Sequence, residues 1–157
     1  MKNTIYFLFI FFFSLGVSQE NEWRWQQEVD YTMVIDVDVE NHTYKGTQSL
    51  VFTNNSPDDL DRVFYHLYFN AFKPGTDLEQ NSRYSADDSR TMSKNILMLD
   101  EKDWGDVQIK WMLQDGVPVK FKVEETILEV ALASPVKAGE STVLEMEFFI
   151  QTPAMIR

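Results

Sequence analysis

No cysteine occurs among the 157 residues. That excludes a disulfide framework, a thiolate metal site, a cysteine nucleophile and a lipid-anchored N-terminal cysteine. Histidine is nearly as scarce: the chain has 2, His42 and His66, too few for most metal or acid–base constellations. Positive charge is short as well. Lys and Arg total 14 against 25 Asp and Glu, for a formal net charge of −11. Nucleic-acid affinity is built on cations meeting phosphates, so no nucleic-acid partner is expected. The sequence also lacks H-E-x-x-H, G-x-S-x-G, G-x-G-x-x-G and G-x-x-x-x-G-K, which removes the commonest signatures of zinc peptidases, serine hydrolases, dinucleotide binders and P-loop proteins.

Aromatic residues are plentiful, with 12 Phe, 6 Tyr and 4 Trp, a bias toward strands. Apolar residues at 44% and charged residues at 25% give an ordinary globular balance, enough for one domain or part of a larger one. The first 18 residues read as a signal peptide. Lys2 supplies the positive start, and Ile5–Val17 is an apolar run of 13 residues, short for a membrane span. Gly16 and Ser18 are the small residues of a cleavage site, with Gln19-Glu20-Asn21-Glu22 polar beyond. A membrane anchor is the competing reading, and the absence of a basic stop-transfer cluster after the run weighs against it. The expectation is a signal peptide over 1–18 and a mature domain over 19–157. That domain would be exported to the periplasm or extracellular space, with no stable membrane anchor after signal cleavage.

The mature part alternates with period two. Tyr31, Met33, Ile35, Val37 and Val39 share one face of a strand over Tyr31–Glu40, while Thr32, Asp36, Asp38 and Glu40 share the other. That pattern predicts a half-buried strand with a wet outer face. Tyr44, Gly46, Gln48, Leu50 and Phe52 line one side of a second strand, joined to the first through a hairpin at Asn41-His42-Thr43. Arg62–Asn70 is apolar or aromatic on both faces, which predicts a central strand covered on both sides. Residues 73–103 break the pattern and read as a long loop with one helical turn near Met92–Leu99. Alternation resumes at Val107–Leu113, turns at Gln114-Asp115-Gly116-Val117 and returns through Val119, Phe121 and Val123. Thr126–Leu132, a loop at Ser134–Glu140 and a last strand at Thr142–Ile150 complete about seven strands. The fold class is all-β and antiparallel, without a long helix or an internal repeat.

Candidate chemistry is thin. His66 lies in an aromatic strand and reads as a core histidine, and His42 as a turn residue. Asp36, Asp38 and Glu40 offer oxygens that a hard cation could use, but a straight strand spaces them too widely, so they read as a solvated face. Asp58, Asp59 and Asp61 read as turn and cap residues. Trp23, Trp25, Trp104 and Trp111 could stack on sugars, yet aromatics at strand spacing more commonly pack cores and edges. Asn41-His42-Thr43 and Asn54-Asn55-Ser56 match the glycosylation pattern, which short polar turns often match by chance. No catalytic, cofactor-binding or metal residue is assigned.

Three runs nevertheless resemble a known family: Tyr44-Lys45-Gly46-Thr47-Gln48-Ser49-Leu50, Asn54-Asn55-Ser56-Pro57-Asp58-Asp59-Leu60-Asp61, and Val63-Phe64-Tyr65-His66-Leu67-Tyr68-Phe69-Asn70-Ala71-Phe72. They are similar to the opening of bacterial zinc metallopeptidases of the aminopeptidase N type. Asp115-Gly116, Leu128-Glu129-Val130 and Pro135-Val136-Lys137-Ala138-Gly139-Glu140 continue the likeness, which runs from about Glu28 to Ile150. The resemblance implies a saddle-like N-terminal β-sandwich domain that precedes a thermolysin-like catalytic domain. The latter would hold the zinc, an H-E-x-x-H, a downstream glutamate ligand and a G-x-M-E-N-type motif, none of which occurs here. The chain is therefore expected to be a truncated, non-catalytic fragment. Its partners would be the catalytic domain of the same polypeptide and, in the full-length protein, a peptide substrate. The alternative is a free-standing secreted β-sandwich binding module for a glycan or a protein.

Overall fold

The structure, a computed structural model, describes residues 25–83 and 96–154; the expected signal peptide and Trp23 lie outside them. Eight strands are present among the described residues: β1 (Glu28–Asp38), β2 (Thr43–Thr53), β3 (Leu60–His66), β4 (Asp106–Gln114), β5 (Val117–Pro118), β6 (Lys120–Glu124), β7 (Ile127–Val136) and β8 (Ser141–Gln151). They form a five-stranded sheet of order β1-β2-β8-β4-β5 and a three-stranded sheet of order β3-β7-β6. Every pairing is antiparallel. The fold is the expected all-β sandwich.

Alternation decides what the sandwich buries. Leu50 and Phe52 of β2, Leu144, Met146 and Phe148 of β8 and Met112 of β4 meet Leu128 and Val130 of β7 and Val63 of β3 in one core cluster. Each such side chain contributes about 1.5–3 kcal/mol on leaving water. The registers align residues in rows across the inner face of the larger sheet. Met33, Gln48, Met146 and Met112 make one row, Ile35, Gly46, Phe148 and Ile109 the next, and Val37, Tyr44, Ile150 and Val107 a third. Gly46 is glycine for a reason: a Cβ there would run into the Val34 carbonyl oxygen and come within 3.1 Å of the Phe148 ring.

The Asp-Gly turn forms as expected. Asp115 and Gly116 take φ of 48° and 81°, the left-handed pair that suits the twist of a tight hairpin. The return strand is split, which raises the strand number from about seven to eight. Val117–Pro118 pairs with β4, whereas Lys120–Glu124 pairs with β7 in the other sheet. Val119 N–H still donates to the Met112 carbonyl at 3.1 Å, so the chain changes sheets at that residue.

Three expectations are corrected. β1 is exposed along its whole length rather than half-buried, because it is the edge of the wider sheet and the three-stranded sheet does not extend beneath it. β3 ends at His66 and is likewise an edge strand, with Phe64 exposed; Tyr68–Ala71 continues as a 3-10 turn. The 73–103 segment is not all loop. It carries α1 (Asp77–Arg83) and a 3-10 turn at Glu101–Asp103. Thr76 caps the start of α1, with Glu79 N–H 3.4 Å from Thr76 Oγ1, and the Glu79 carboxylate accepts from Gly75 N–H at 3.2 Å, one residue before the cap. Of the helical turn expected near Met92–Leu99, Ile96–Met98 are helical and residues 92–95 lie outside the described residues.

Candidate functional site

The residues singled out from the sequence do not converge. His42 occupies the β1–β2 turn at φ 55° and is exposed; its carbonyl accepts from Thr152 N–H at 3.0 Å and Thr152 Oγ1 at 2.8 Å. His66 is exposed rather than in the core, stacked on Tyr68 with ring centroids 5.2 Å apart. On the outer face of β1, Asp36 lies 3.5 Å from Lys45. Asp38 accepts from Asn41 Nδ2 at 2.7 Å and from its backbone N–H at 3.0 Å, bonds that hold the carboxyl below its ordinary pKa. Glu40 is exposed beyond the strand. Asp58 serves through its carbonyl oxygen, and Asp59 accepts from Ala138 N–H at 3.3 Å. Asp61 pairs with Arg62 at 3.1 Å, and that hydrogen bond lowers its pKa. Among the described residues no group of three or more His, Asp or Glu is gathered to hold a metal.

The tryptophans and the glycosylation patterns resolve individually. Trp111 donates to Glu147 Oε2 at 2.7 Å and Trp104 to the Leu99 carbonyl at 3.2 Å, while Trp25 is exposed. Asn54 is fully buried. Its Nδ2 donates to the Asp58 and Val136 carbonyls, and its Oδ1 accepts from Ser56 and Gln27. That amide has no free face for a glycan in the folded chain: the second match to the glycosylation pattern is one of chance, and the residue is a structural latch. Asn41 is exposed, with its amide committed to Asp38.

Two further buried amides act in the same way. Gln114 donates to the Ser134 carbonyl at 2.8 Å and accepts from Ser134 N–H at 3.0 Å, tying β4 to β7. Asn70 donates to the Glu125 carbonyl at 2.9 Å and accepts from Val107 N–H at 2.7 Å. Each joins chain segments distant in sequence and satisfies backbone groups that no strand reaches.

What the structure does assemble is a groove of about 360 Å³ where the inner face of the larger sheet passes the end of β3. Met33 and Ile35 of β1 form one wall, Tyr44 and Gln48 of β2 and Phe148 of β8 the floor, and Tyr65 and the Leu67–Phe69 backbone turn the other wall. Tyr44 and Phe148 meet edge to face at 6.4 Å. Two of its lining residues carry a polar atom, Gln48 Nε2 and Tyr65 Oη, that is itself buried and has no hydrogen-bond partner among the described residues. Burial pushes the Tyr65 phenol well above its ordinary pKa, and Tyr31 adds to the rise. The phenol is therefore neutral across the physiological range. The alternation placed Gln48 on the inward face, but the sequence reading did not single it out. The available signal was a lone amide between Gly46 and Leu50 on an otherwise apolar stripe.

No protein-family model matches the chain. No curated protein matches it either. Solved structures do. One is an M1 zinc metallopeptidase from Deinococcus radiodurans, a mutant bound to a Tyr-Ser-Ala substrate. It is 15% identical with a TM-score of 0.50, and the match covers 81% of this chain and 21% of that one. The same organism's M1 zinc metallopeptidase without the mutation matches at 16% identity and TM-score 0.50, over 81% of this chain and 20% of that one. A two-domain M1 zinc metallopeptidase mutant bound to L-tryptophan matches equally, at 16% and 0.50, over 81% and 21%. The chain thus has the fold of one part of the M1 zinc metallopeptidases, and it spans about a fifth of the length of the structures it matches.

Proposed function

We propose that this chain is the non-catalytic N-terminal β-sandwich domain of an exported, zinc-dependent metallopeptidase of the aminopeptidase type. The observation that carries the reading is the lopsided match: 81% of this chain against 21% of an M1 zinc metallopeptidase. Lys2, the apolar run Ile5–Val17 and the small residues Gly16 and Ser18 support export.

The described residues do not fit a zinc site. His42 sits in a turn, His66 stacks on Tyr68, and no third donor is gathered with either among the described residues. In such peptidases the metal would polarise the scissile carbonyl and activate water; that chemistry belongs to a domain other than this one. The role left to these residues is mechanical. A rigid sandwich, locked by Asn54, Asn70 and Gln114, covers one side of the catalytic cleft and presents a fixed surface to the catalytic domain.

Reading the coding sequence beyond residue 157 tests the proposal. It expects H-E-x-x-H on a predicted helix, because the i, i+4 spacing sets both imidazoles toward one metal, and a glutamate ligand further on. The purified chain should bind no stoichiometric zinc by calorimetry and hydrolyse no aminoacyl arylamide. A stop codon directly after residue 157, with no such motif in the adjoining frame, would overturn it in favour of a free-standing binding module. So would metal-dependent hydrolysis by the purified chain.

A further inference from the structure

The least protected part of the molecule is β1. It pairs with β2 over eleven residues, from Glu28↔Thr53 to Asp38↔Thr43, without a bulge. Its other edge pairs with no described strand. Natural edge strands are blunted by charged side chains, above all Lys, by Pro, by bulges or by short length. β1 has the sequence EVDYTMVIDVD: no Lys, no Pro, no Gly. Its inner face is apolar and uncovered, with Tyr31, Met33, Ile35 and Val37 at 46%, 44%, 46% and 60% exposure. This face runs directly into the groove, whose lining includes Met33 and Ile35. Charge guards only the outer face of β1, so an apolar inner face of this length along an edge is a liability in a folded protein unless it is covered.

Charge says what covers it. The outer face of β1 carries Glu28, Asp30, Asp36 and Asp38. Lys45 answers Asp36 at 3.5 Å; Glu28 and Asp30 form no ion pair with a described residue. A second copy is a poor occupant. The antiparallel register that pairs all of β1 with itself sets Glu28 against Asp38 and Asp30 against Asp36, and like charges directly opposite destabilise a strand pair. A strand with cations at those positions reverses the sign.

We infer that β1 is an internal strand in the working protein, extended by a further strand that is apolar on its groove side and rich in Lys or Arg on its outer side. That strand comes from the remainder of the same polypeptide. Its main chain would pair with the edge of β1 that no described strand occupies, and its apolar side chains would cover Met33 and Ile35 at the groove wall. This rests on the reading of the chain as one domain of a longer peptidase.

The experiment has two arms. In the first, synthetic eleven-residue peptides alternating Val with Lys, or Val with Glu, are titrated into the 157-residue chain by fluorescence anisotropy. The Lys peptide should bind at least about tenfold more tightly than the Glu peptide, and Glu28→Lys with Asp30→Lys, which leaves two acids against two lysines on the outer face, should erase that preference. Equal binding of the two peptides, no binding, or a β1-mediated dimer in ultracentrifugation would overturn the inference. In the second arm, hydrogen exchange compares β1 amides in this chain and in the longer polypeptide. They should exchange about a hundredfold more slowly in the longer one. Equal exchange overturns this inference while leaving the peptidase reading intact. A reading frame that ends at residue 157 fails the peptidase reading by itself, and takes the source of the strand with it.

Discussion

Asn54 offers the sharpest test of how the sandwich is held. Its side chain is fully buried and makes contacts in three directions. Nδ2 donates to the Asp58 carbonyl at 2.7 Å and the Val136 carbonyl at 2.9 Å. Oδ1 accepts from Ser56 N–H at 3.0 Å, Ser56 Oγ at 2.6 Å and Gln27 Nε2 at 3.2 Å. Its backbone closes the turn at the other end, donating to the Glu140 carbonyl at 2.9 Å and accepting from Gly139 N–H at 2.7 Å. Asn54→Ala removes all the side-chain bonds and strands the Val136 carbonyl and the Ser56 amide. Each stranded group costs about 1–3 kcal/mol, so the total loss should be about 3 kcal/mol, a large part of a typical domain's 5–15 kcal/mol. Asn54→Asp is nearly isosteric but replaces two donations with a carboxylate facing two carbonyl oxygens. Burial and those oxygens raise the pKa of the introduced carboxyl in the folded state. A raised acid favours folding below its unfolded pKa and disfavours it as pH climbs through the folded one, so the penalty should be largest at pH 7 and shrink toward pH 4. Urea unfolding followed by tryptophan fluorescence, compared with the parent chain at each pH, measures both. A loss below about 1 kcal/mol for Asn54→Ala would refute the latch, as would a penalty for Asn54→Asp that does not change with pH.

Two further outcomes are expected. Gly46→Ala should destabilise the β1–β2 pairing by about 1–3 kcal/mol, since the added methyl meets the Val34 carbonyl and the Phe148 ring; amide exchange should quicken in β1 first, and an unchanged β1 would count against the packing argument. Burial raises the Asp106 carboxyl, but the Lys73 hydrogen bond at 2.7 Å, the Gln108 bond and the Lys73 charge outweigh it and leave the pKa below the ordinary 3.8. The stabilisation it provides is therefore complete above the unfolded pKa and lost as pH falls through the folded one; Asp106→Asn should flatten the acid limb of a stability–pH curve, and an unaltered limb would refute the assignment.

Strand positions and facing were legible because both depend on local alternation. Tyr44, Gly46, Gln48, Leu50 and Phe52 do share the inner face, as do Leu144, Met146, Phe148 and Ile150. The Asp115-Gly116 turn was legible because only a few residue types accept its backbone angles. Neighbourhood was not legible. β1 and Arg62–Asn70 were both expected to be covered, and both proved to be edges. Alternation reports which way a side chain points; it carries no information on whether another sheet lies opposite. That depends on how many strands each sheet recruits, and pairing partners such as β2 and β8 are separated by nearly a hundred positions. The Asn54-Asn55-Ser56 motif was open to the same error, since a three-residue match looks the same on a loop tip and inside a latch.

The two misplaced strands point to one physical cause. Five strands on one side and three on the other cannot cover each other, so the wider sheet must leave apolar surface facing outward. The sequence of β1 keeps that surface apolar at Val29, Tyr31, Met33, Ile35 and Val37 instead of replacing it with polar residues. It places all four of its acids on the opposite, solvent-facing side. A strand optimised to be a free edge would show charge on the inner face or a proline in its length. β1 shows the pattern of a strand inside a sheet whose next neighbour is cationic on its outer face. The exposed groove fits the same account, because its β1 wall, Met33 and Ile35, lies next to where that neighbour's side chains would lie.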